Sequence, residues 1–141
     1  MAASDVKMRN LEKVLARFAR LAPGMEEAAD RRLEAEVAAL VKEQQRYAPN
    51  DPKTGDNRIA KGIRYYKNPD RPASYRIISD AKDDEGKPIA ANVEQGHRNV
   101  DGSHTPAHPS FFPIYRARKK KIRRVTLAAS RAELKRQFPG A

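Results

Sequence analysis

Three histidines and one aspartate lie within one short polar segment of the chain, at His97, Asp101, His104 and His108. Imidazole and carboxylate groups suit zinc or manganese, so a metal-dependent nuclease is the sharpest chemistry that these residues allow. The spacing of His104 and His108 matches a metal-binding pair on a helix, but Pro106 between them disfavours a helix there. We therefore expect solvated loop histidines, with no bound metal and no cofactor.

The acidic residues do not predict a catalytic arrangement either. Asp83, Asp84 and Glu85 are consecutive, which is typical of a solvated turn rather than of two carboxylates that face one substrate. The chain has no cysteine, which excludes thiolate nucleophiles, thiolate metal sites and disulfides. It also lacks a glycine-rich phosphate loop and a nucleophile elbow. The sequence therefore predicts a protein without enzymatic activity.

The C-terminal part of the chain is strongly basic. Residues 111–141 carry ten Lys or Arg residues against one acidic residue, so they hold nine of the eleven net positive charges. Seven basic residues form the densest run: Arg116, Arg118, Lys119, Lys120, Lys121, Arg123 and Arg124. Such a run could bind nucleic-acid phosphates, dock on an acidic partner protein, or keep an exposed helix face soluble. The sequence leaves these three interpretations open, but it contains no motif for base-specific readout.

Five aromatic residues could form a platform on which nucleic-acid bases stack: Tyr65, Tyr66, Tyr75, Phe111 and Phe112. Exposed aromatic side chains on a sheet bind bases in this way in several nucleic-acid-binding modules. Aromatic residues more often fill a small hydrophobic core, because each of them buries a large apolar area. We therefore expect these five side chains to pack in the core.

Two helices are predicted at the N-terminus. The first has an apolar stripe at helical spacing, made of Leu11, Val14, Leu15, Phe18 and Ala22. Pro23 and Gly24 are expected to end it. The second helix is expected from Met25 to Arg46, with an apolar stripe of Leu33, Val37, Leu40 and Val41. At about 1.5 Å per residue this helix spans roughly 30 Å, enough to be the spine of a small domain.

The middle of the chain is predicted to form short strands. Prolines, a glycine and polar residues predict a loop over Ala48–Asn57. Three segments of period-two or β-branched character follow, at Gly62–Lys67, Ser74–Ser79 and Ile89–Glu94. We expect these strands to make a small antiparallel sheet, and a long exposed loop to follow it.

The last predicted element is a helix that begins near Pro113 and ends before Phe138. Its apolar positions are Tyr115, Ile122, Val125, Ala129 and Ala132. The remaining faces are basic, so this helix is expected to pack on one side only.

The predicted fold class is α+β, in one domain that spans residues 1–141. N-terminal helices (5–46) pack on a small antiparallel β-sheet (within 47–96), an exposed loop follows (97–110), and a basic C-terminal helix (111–138) completes the layer. Leu, Ile, Val and Phe together number 25 of 141 residues, a low share for a chain with 33% charged residues. Such a domain gains stability when partners cover its apolar surface. No segment has the composition of a signal peptide or a membrane span, so we expect a soluble protein that makes no membrane contact.

Two stretches of the chain, in this order, resemble a known family. The first, YAPNDPKTGDNRIAKGI at residues 47–63, contains Ala48, Pro49, Thr54 and Gly55. The second, ANVEQGHRN followed by HPSFFPIYRARKKKI, contains Val93, Glu94, Gly96, Pro109 and Phe112. Together they resemble the siphophage neck or tail-completion proteins named after the tenth gene product of a lambda-like HK phage. In that family a helix ends in an Ala-Pro pair, and a Thr-Gly pair and then an apolar strand follow it. Later in the chain, a strand ending in Val-Glu-x-Gly precedes a Pro-x-Phe turn that leads into the last helix.

The chain departs from this pattern at three places. His97 stands where the family often has a small residue, the leucine after Thr-Gly is displaced to Ile59, and the loop after Gly96 is long. These departures concern the loops rather than the order of the motifs.

The resemblance implies a structural virion protein at the head-tail interface of a tailed phage or phage-like particle, assembled in the host cytoplasm. It implies a homo-oligomeric ring, for which a hexamer matches the symmetry of a tail. The expected neighbours are the head connector or stopper on one side and the tail tube or tail terminator on the other, with transient contact to genomic DNA. The alternative is a basic accessory protein that binds DNA without sequence preference.

The residues of the two stretches fit a structural role on their own chemistry. Pro49 is expected to end a helix, and Gly55 and Gly96 are expected to take a positive φ. Glu94 is expected to be an exposed strand carboxylate, or else to pair with an arginine of a neighbouring subunit.

Overall fold

The computed structural model describes residues 11–51 and 54–140 of the chain. In chain order the elements are α1 (Leu11–Tyr47), α2 (Arg58–Gly62), β1 (Ile63–Lys67), β2 (Tyr75–Ser79), α3 (Ala90–Gln95), β3 (His97–Arg98), β4 (His104–Thr105) and α4 (Phe111–Gln137). β1 pairs with β2 and β3 pairs with β4, both antiparallel. The predicted α+β class is confirmed.

Two long helices form the frame of the domain. α1 packs along α4 and also carries the β1–β2 sheet. On α1, Val37, Leu40 and Val41 are buried and Leu33 is half-buried, so the predicted apolar stripe is confirmed. Ile122 of α4 is buried as well. Because each such side chain contributes about 1.5–3 kcal/mol on burial, this layer is the main apolar contribution to stability.

Polar contacts fix the relative direction of the two helices. At the C-terminal end of α1, the fully buried Gln44 donates from Nε2 to the carbonyl oxygen of Phe111, at the start of α4, over 2.9 Å. Further back along α1, the carbonyl oxygen of Met25 accepts a hydrogen bond from Ser130 Oγ at 3.4 Å. The beginning of α4 therefore lies beside the end of α1, and the two helices run antiparallel.

The β1–β2 sheet is tied to α1 by side chains. Gln45 Nε2 donates to the carbonyl oxygen of Ile63 at 2.8 Å. Lys67 Nζ lies 2.9 Å from Asp30 Oδ2, and the Tyr75 hydroxyl donates to Asp30 Oδ1 at 3.1 Å. The register runs from Ile63 opposite Ser79 to Lys67 opposite Tyr75. Both predicted strands are confirmed to within one residue.

Asp30 makes a contribution to stability that depends on pH. The hydrogen bond from Lys67 holds the pKa of Asp30 below its usual 3.8, and burial raises the pKa of Tyr75 to about 12. A carboxyl whose pKa is lowered by folding stabilises the fold above its ordinary pKa, and this stabilisation is lost as the pH falls through the lower folded-state pKa. We expect Asp30→Ala to reduce the free energy of unfolding by about 1 kcal/mol near neutral pH.

Urea titrations over a pH series measure this effect. The difference between Asp30→Ala and the unchanged protein should shrink as the pH falls from 3.8 through the lower folded-state pKa, because the carboxyl is finally protonated in the folded state too. Asp70→Ala, at an exposed turn residue, serves as the control and should stay within about 0.5 kcal/mol of the unchanged protein. A deficit for Asp30→Ala that is the same at every pH would contradict the assignment.

The predicted helix break at Pro23 and Gly24 is wrong, because α1 continues through both residues. A proline removes one backbone hydrogen bond from a helix, but packing against a neighbouring element can offset that loss. Here α4 lies against this turn: a Cβ added to Gly24 would be 2.8 Å from Gln137 Nε2. Pro23 itself is exposed, so its ring displaces no packed side chain.

The third predicted strand, Ile89–Glu94, is also wrong, since Ala90–Gln95 form α3. The Val93 N–H donates to the carbonyl oxygen of Ile89 at 3.0 Å, which is the spacing of an α-helical turn. A separation of four residues fits both the period of a strand and that of a helix, so a short segment with two branched apolar residues does not distinguish them. The strand that the family resemblance implies before Val-Glu-x-Gly is a helical turn in this chain.

The segment predicted as a long exposed loop is mostly exposed, but it contains the β3–β4 hairpin. His97 lies opposite Thr105 and Arg98 opposite His104. The turn is held locally: the Asn99 N–H donates to the Ser103 carbonyl oxygen at 2.7 Å. Two-residue strands leave no periodic pattern in a sequence, so composition alone predicts a loop here.

α4 begins at Phe111, within two residues of the predicted start, and ends at Gln137 as predicted. Pro113 falls in its first turn, where backbone N–H groups have no intrahelical partner in any case. Of the predicted stripe, Ile122 is buried and Val125 and Ala129 are half-buried. Tyr115 and Ala132 are exposed, so the stripe is wrong at these two positions.

Some predictions fall outside the described residues. These are the helix over residues 5–10 and the side-chain packing of Leu11, Val14, Leu15 and Phe18. The single turn α2 was not predicted. In the part of the chain that the structure describes, no helix combines the length and apolar character that crossing a membrane requires.

Candidate interaction surface

The carboxylate of Glu94 caps the N-terminus of α4. Its Oε2 accepts hydrogen bonds from the N–H groups of Ser110 at 3.0 Å and Phe111 at 3.1 Å, and its Oε1 accepts one from Phe112 at 3.0 Å. These N–H groups lack intrahelical partners, and the positive end of the helix dipole favours a negative charge beside them. The Ser110 side chain makes no cap hydrogen bond. The expectation of an exposed strand carboxylate at Glu94 is wrong.

Val93 and Gly96, on either side of Glu94 in the chain, attach the β3–β4 hairpin and the segment after it to α3. The Val93 carbonyl oxygen accepts a hydrogen bond from the His108 N–H at 2.8 Å. Gly96 has φ +75°, as predicted, and a Cβ there would lie 2.8 Å from the Thr105 carbonyl oxygen. The residues Val93, Glu94 and Gly96, with the start of α4, therefore form one unit, the α3–α4 joint.

The first family stretch forms a separate turn after α1. The Ala48–Pro49 pair directly follows the helix, in agreement with the predicted helix end. Gly55 has φ +70°, as predicted, and its N–H donates to the Asp51 carbonyl oxygen at 2.8 Å. Thr54 Oγ1 accepts a hydrogen bond from the Asp56 N–H at 3.2 Å. These contacts are local and place no side chain for chemistry.

An apolar cavity of about 300 Å³ lies where the last residues of the first family stretch meet the second stretch. Ile59 and Ile63 line it from α2 and β1, and Val93, Glu94 and Phe112 line it from the α3–α4 joint. Of the nine family-motif residues, only these last three reach the cavity. The other six do not line it: Ala48, Pro49, Thr54, Gly55, Gly96 and Pro109.

The basic residues of α4 divide into two groups. Arg116, Lys119, Lys120, Lys121, Arg123 and Arg124 are exposed. Arg118 is half-buried and its guanidinium pairs with the carboxylate of Glu43, so it ties α4 to α1 and does not belong to the free surface. The run in the sequence did not distinguish Arg118, whose partner lies 75 residues earlier in the chain.

We call one side of α4 the basic face: Arg116, Lys120, Arg123, Arg124 and Arg131. Arg123 and Arg124 are adjacent, and Arg116, Lys120, Arg124 and Arg131 follow one another at spacings of four or seven, which places the set on one side of a helix. Arg131 was missed in the sequence because it lies outside the basic run, although its separation of seven from Arg124 was a usable signal. Leu127 lies among these residues and is 46% exposed, so the face has an apolar centre.

A second apolar space, the α4 groove, lies between β2 and α4, both of which pack on α1. It has a volume of about 340 Å³. Its lining includes Leu33, Val37 and Leu40 of α1, Tyr75 and Ile77 of β2, and Tyr115, Lys119, Ile122, Arg123, Thr126 and Leu127 of α4. Arg123 and Leu127 also belong to the basic face, so the groove opens beside positive charge.

The structure does not bring the three histidines together in one group. His97 lies opposite Thr105, and His104 lies opposite Arg98 in the next pair. Since successive residues of a strand point to opposite faces, His97 and His104 face away from each other. Within residues 11–51 and 54–140, no three His, Asp or Glu side chains come together in a group that could hold a metal ion.

The acidic run and the aromatic residues have structural contacts. Asp83 Oδ1 accepts hydrogen bonds from the N–H groups of Glu85 at 3.0 Å and Lys87 at 2.8 Å, as in the predicted turn. The rings of Tyr65 and Tyr75 meet edge to face at 6.0 Å on the side of the sheet that contacts α1. Packing is thus confirmed for these two and for the half-buried Phe111, but it is wrong for the exposed Tyr66 and Phe112.

Comparison with known proteins adds no relative: no family model, no curated protein and no solved structure matches this chain significantly. Any function must therefore be argued from the residues and their arrangement.

Proposed function

We propose that this chain is a structural protein of the head-tail interface of a tailed phage or phage-like particle, where copies form a ring that joins the head connector to the tail. Its mechanism is assembly rather than catalysis. The order of the two family-like stretches supports the proposal, and so do the structural contacts of Glu94, which caps α4, and of Gly96, which approaches the backbone of Thr105.

The observation that carries the proposal is a small core beside open apolar surface. Among the described residues, the buried hydrophobic ones are Ala29, Val37, Leu40, Val41, Ile63, Ala81 and Ile122. Meanwhile Phe112, Tyr115 and Leu127 are between 44% and 47% exposed, and each lines one of the two apolar spaces. Exposed apolar surface of this kind marks interaction sites, and a partner that covers it stabilises the folded chain.

In a ring, the cavity beside Phe112, the α4 groove and the basic face can each contact a different neighbour. The cavity beside Phe112 and the α4 groove are separate surfaces, since Ile77 is the one described residue that their linings share. A protein that must contact a neighbouring copy, a connector and a tail needs more than one apolar surface, because each stable contact buries its own patch. The basic face is free to meet an acidic neighbour.

Particles assembled without this protein are expected to fail at head-tail joining. In a strain that produces the particle, disruption of the gene should leave DNA-filled heads and separate tails in electron micrographs. Expression of the unchanged chain from a plasmid should restore joined particles, as should the control variant Arg71→Ala at an exposed turn residue. Joined, infectious particles in the absence of the protein would eliminate the proposal.

The basic face favours one second candidate, a DNA-binding accessory protein without sequence preference. If its five residues each neutralise a phosphate, the logarithm of the binding constant for duplex DNA falls with the logarithm of the salt concentration with a slope of about −4 to −5. Fluorescence titrations with a duplex of random sequence measure this slope. A steep slope together with normally joined particles after gene disruption would favour this function over the first.

A further inference from the structure

The α4 groove combines an aliphatic floor with a basic rim. Leu33, Val37 and Leu40 follow one another on α1 at helical spacing and contribute to its lining. Lys119 and Arg123 line it from α4. No described residue in its lining is acidic, and neither Lys119 nor Arg123 forms a salt bridge with any described residue. The groove therefore presents apolar surface and unneutralised positive charge side by side.

The positive charge continues outward from the groove. Arg123 and Leu127 line both the groove and the shallow depression among Lys120, Arg124 and Arg131 on the basic face. An occupant of the groove thus meets positive charge on the side formed by α4. Charge complementarity requires that this side of the occupant be acidic.

The groove also contains an unsatisfied polar atom. Thr126 Oγ1 is buried and has no hydrogen-bond partner among the described residues, although it lines the groove. A buried hydroxyl without a partner costs free energy. Because the Oγ1 atom is covered, the Thr126 side chain must rotate toward the groove before an occupant can accept a hydrogen bond from it.

The size and shape of the groove match side chains carried on a helix. Its volume is about 340 Å³, whereas a cavity of about 150 Å³ is enough to hold benzene. It therefore has room for one aromatic and one aliphatic side chain. Its floor runs along α1 from Leu33 to Leu40, so successive anchors on an amphipathic helix can enter it at i, i+4 and i+7.

We infer that the α4 groove binds an acidic amphipathic helix of a partner protein, whose apolar anchors fill the groove and whose Asp or Glu side chains pair with Lys119 and Arg123. The inference deepens the proposed function by stating the chemistry of a neighbour, and only the identity of that neighbour rests on the proposed function. A nucleic-acid backbone fits less well, because it has no apolar group to place over Leu33, Val37 and Leu40.

A synthetic peptide tests this inference on the purified full-length chain. The probe is a helical peptide of ~18 residues, about five turns, with one Trp and two Leu on one face and Glu on both flanks. The protein contains no tryptophan, so the fluorescence comes from the peptide alone. We expect a blue shift of the emission and saturable binding, and none with a peptide of the same composition in scrambled order.

Two matched charge reversals locate the binding site. Arg123→Glu, at the rim of the groove, should weaken peptide binding about fivefold or more at physiological salt, because an attractive pair becomes a repulsive one. Arg116→Glu has the same charge change on the same helix but lies outside the groove lining, and it should change binding less than about twofold. A peptide with Lys in place of Glu should bind Arg123→Glu better than the unchanged protein. If Arg123→Glu does not fold by circular dichroism, Lys119→Glu takes its place.

Several results would overturn the inference. One is the absence of a blue shift; another is equal weakening by Arg116→Glu and Arg123→Glu, which would indicate general charge attraction. Full displacement of the peptide by duplex DNA of about 20 base pairs, together with an equal loss of DNA affinity in Arg116→Glu and Arg123→Glu, would assign the basic face to nucleic acid. If Leu127→Asp dissociates an oligomer in sedimentation but leaves peptide binding unchanged, the occupant is a second copy of the chain. None of these measurements involves particles, so their failure is separate from a failure of the head-tail proposal.

Discussion

Replacing Glu94 with alanine is expected to lower the free energy of unfolding by about 2–3 kcal/mol, the combined loss of a helix cap and of charge-assisted hydrogen bonds. Three N–H groups at the start of α4 lose their acceptor together. Ser110 is buried, so water replaces Glu94 poorly at that N–H. Since α4 supplies one side of the helical frame, the loss affects the whole domain rather than a local turn.

Urea unfolding at constant protein concentration measures this loss. The unfolding is followed by circular dichroism at about 222 nm, where the helical signal dominates. Glu94→Gln keeps one acceptor oxygen without the charge, so its loss should fall between zero and that of alanine. Glu85→Ala, at an exposed acid in the β2–α3 turn, is the control and should stay within about 0.5 kcal/mol of the unchanged protein. A value for Glu94→Ala as small as that of the control would contradict the capping role.

Gly62→Ala is expected to destabilise the domain by about 3 kcal/mol or more, because the added methyl group overpacks a backbone contact. Gly62 is buried, and a Cβ there would lie 2.6 Å from the backbone nitrogen of Ala81. Ala81 has little freedom to retreat. The Asp80 N–H beside it donates to the Gly62 carbonyl oxygen at 3.1 Å, and the Ala81 carbonyl oxygen accepts from Ile89 at 3.0 Å.

The matched control for this variant is Gly86→Ala. Nothing lies within 4 Å of a Cβ at Gly86, but its φ is +80°, so alanine there meets only backbone strain and should cost about 1 kcal/mol. Thermal unfolding of both variants separates close approach from strain. A Gly62→Ala variant no less stable than Gly86→Ala would show that the backbone at Ala81 can move away.

The parts of the fold that follow local patterns could be predicted from the sequence. The spacing of Val37, Leu40 and Val41 places them on one stripe of any helix, and that stripe is the core of the domain. The two strands before residue 80 and the turns at Gly55 and Gly96 follow from the same kind of local rule. Prediction failed where one pattern fits two structures, as at Ile89 and Val93, or where packing offsets a local penalty, as at Pro23.

The candidate interaction surface could be predicted from the sequence only in part. The sequence identified Glu94 and the basic run, but the groups that Glu94 binds lie 16 to 18 residues further along the chain. The partner of Arg118 lies 75 residues before it. The α4 groove joins α1, β2 and α4, so none of its lining could be recognised without knowing which elements pack together.

The sequence by itself determined the α+β class, the long apolar stripe of α1 and the concentration of positive charge in the last helix, because these depend on residue type and on spacing within a few turns. The tertiary structure alone decided that Glu94 is a cap, that Arg118 is paired while Arg123 has no ion-pair partner among the described residues, and that an apolar groove opens beside Arg123. The physical reason is that hydrogen bonds, ion pairs and grooves depend on distances between atoms, and packing brings together residues that the chain separates by many turns.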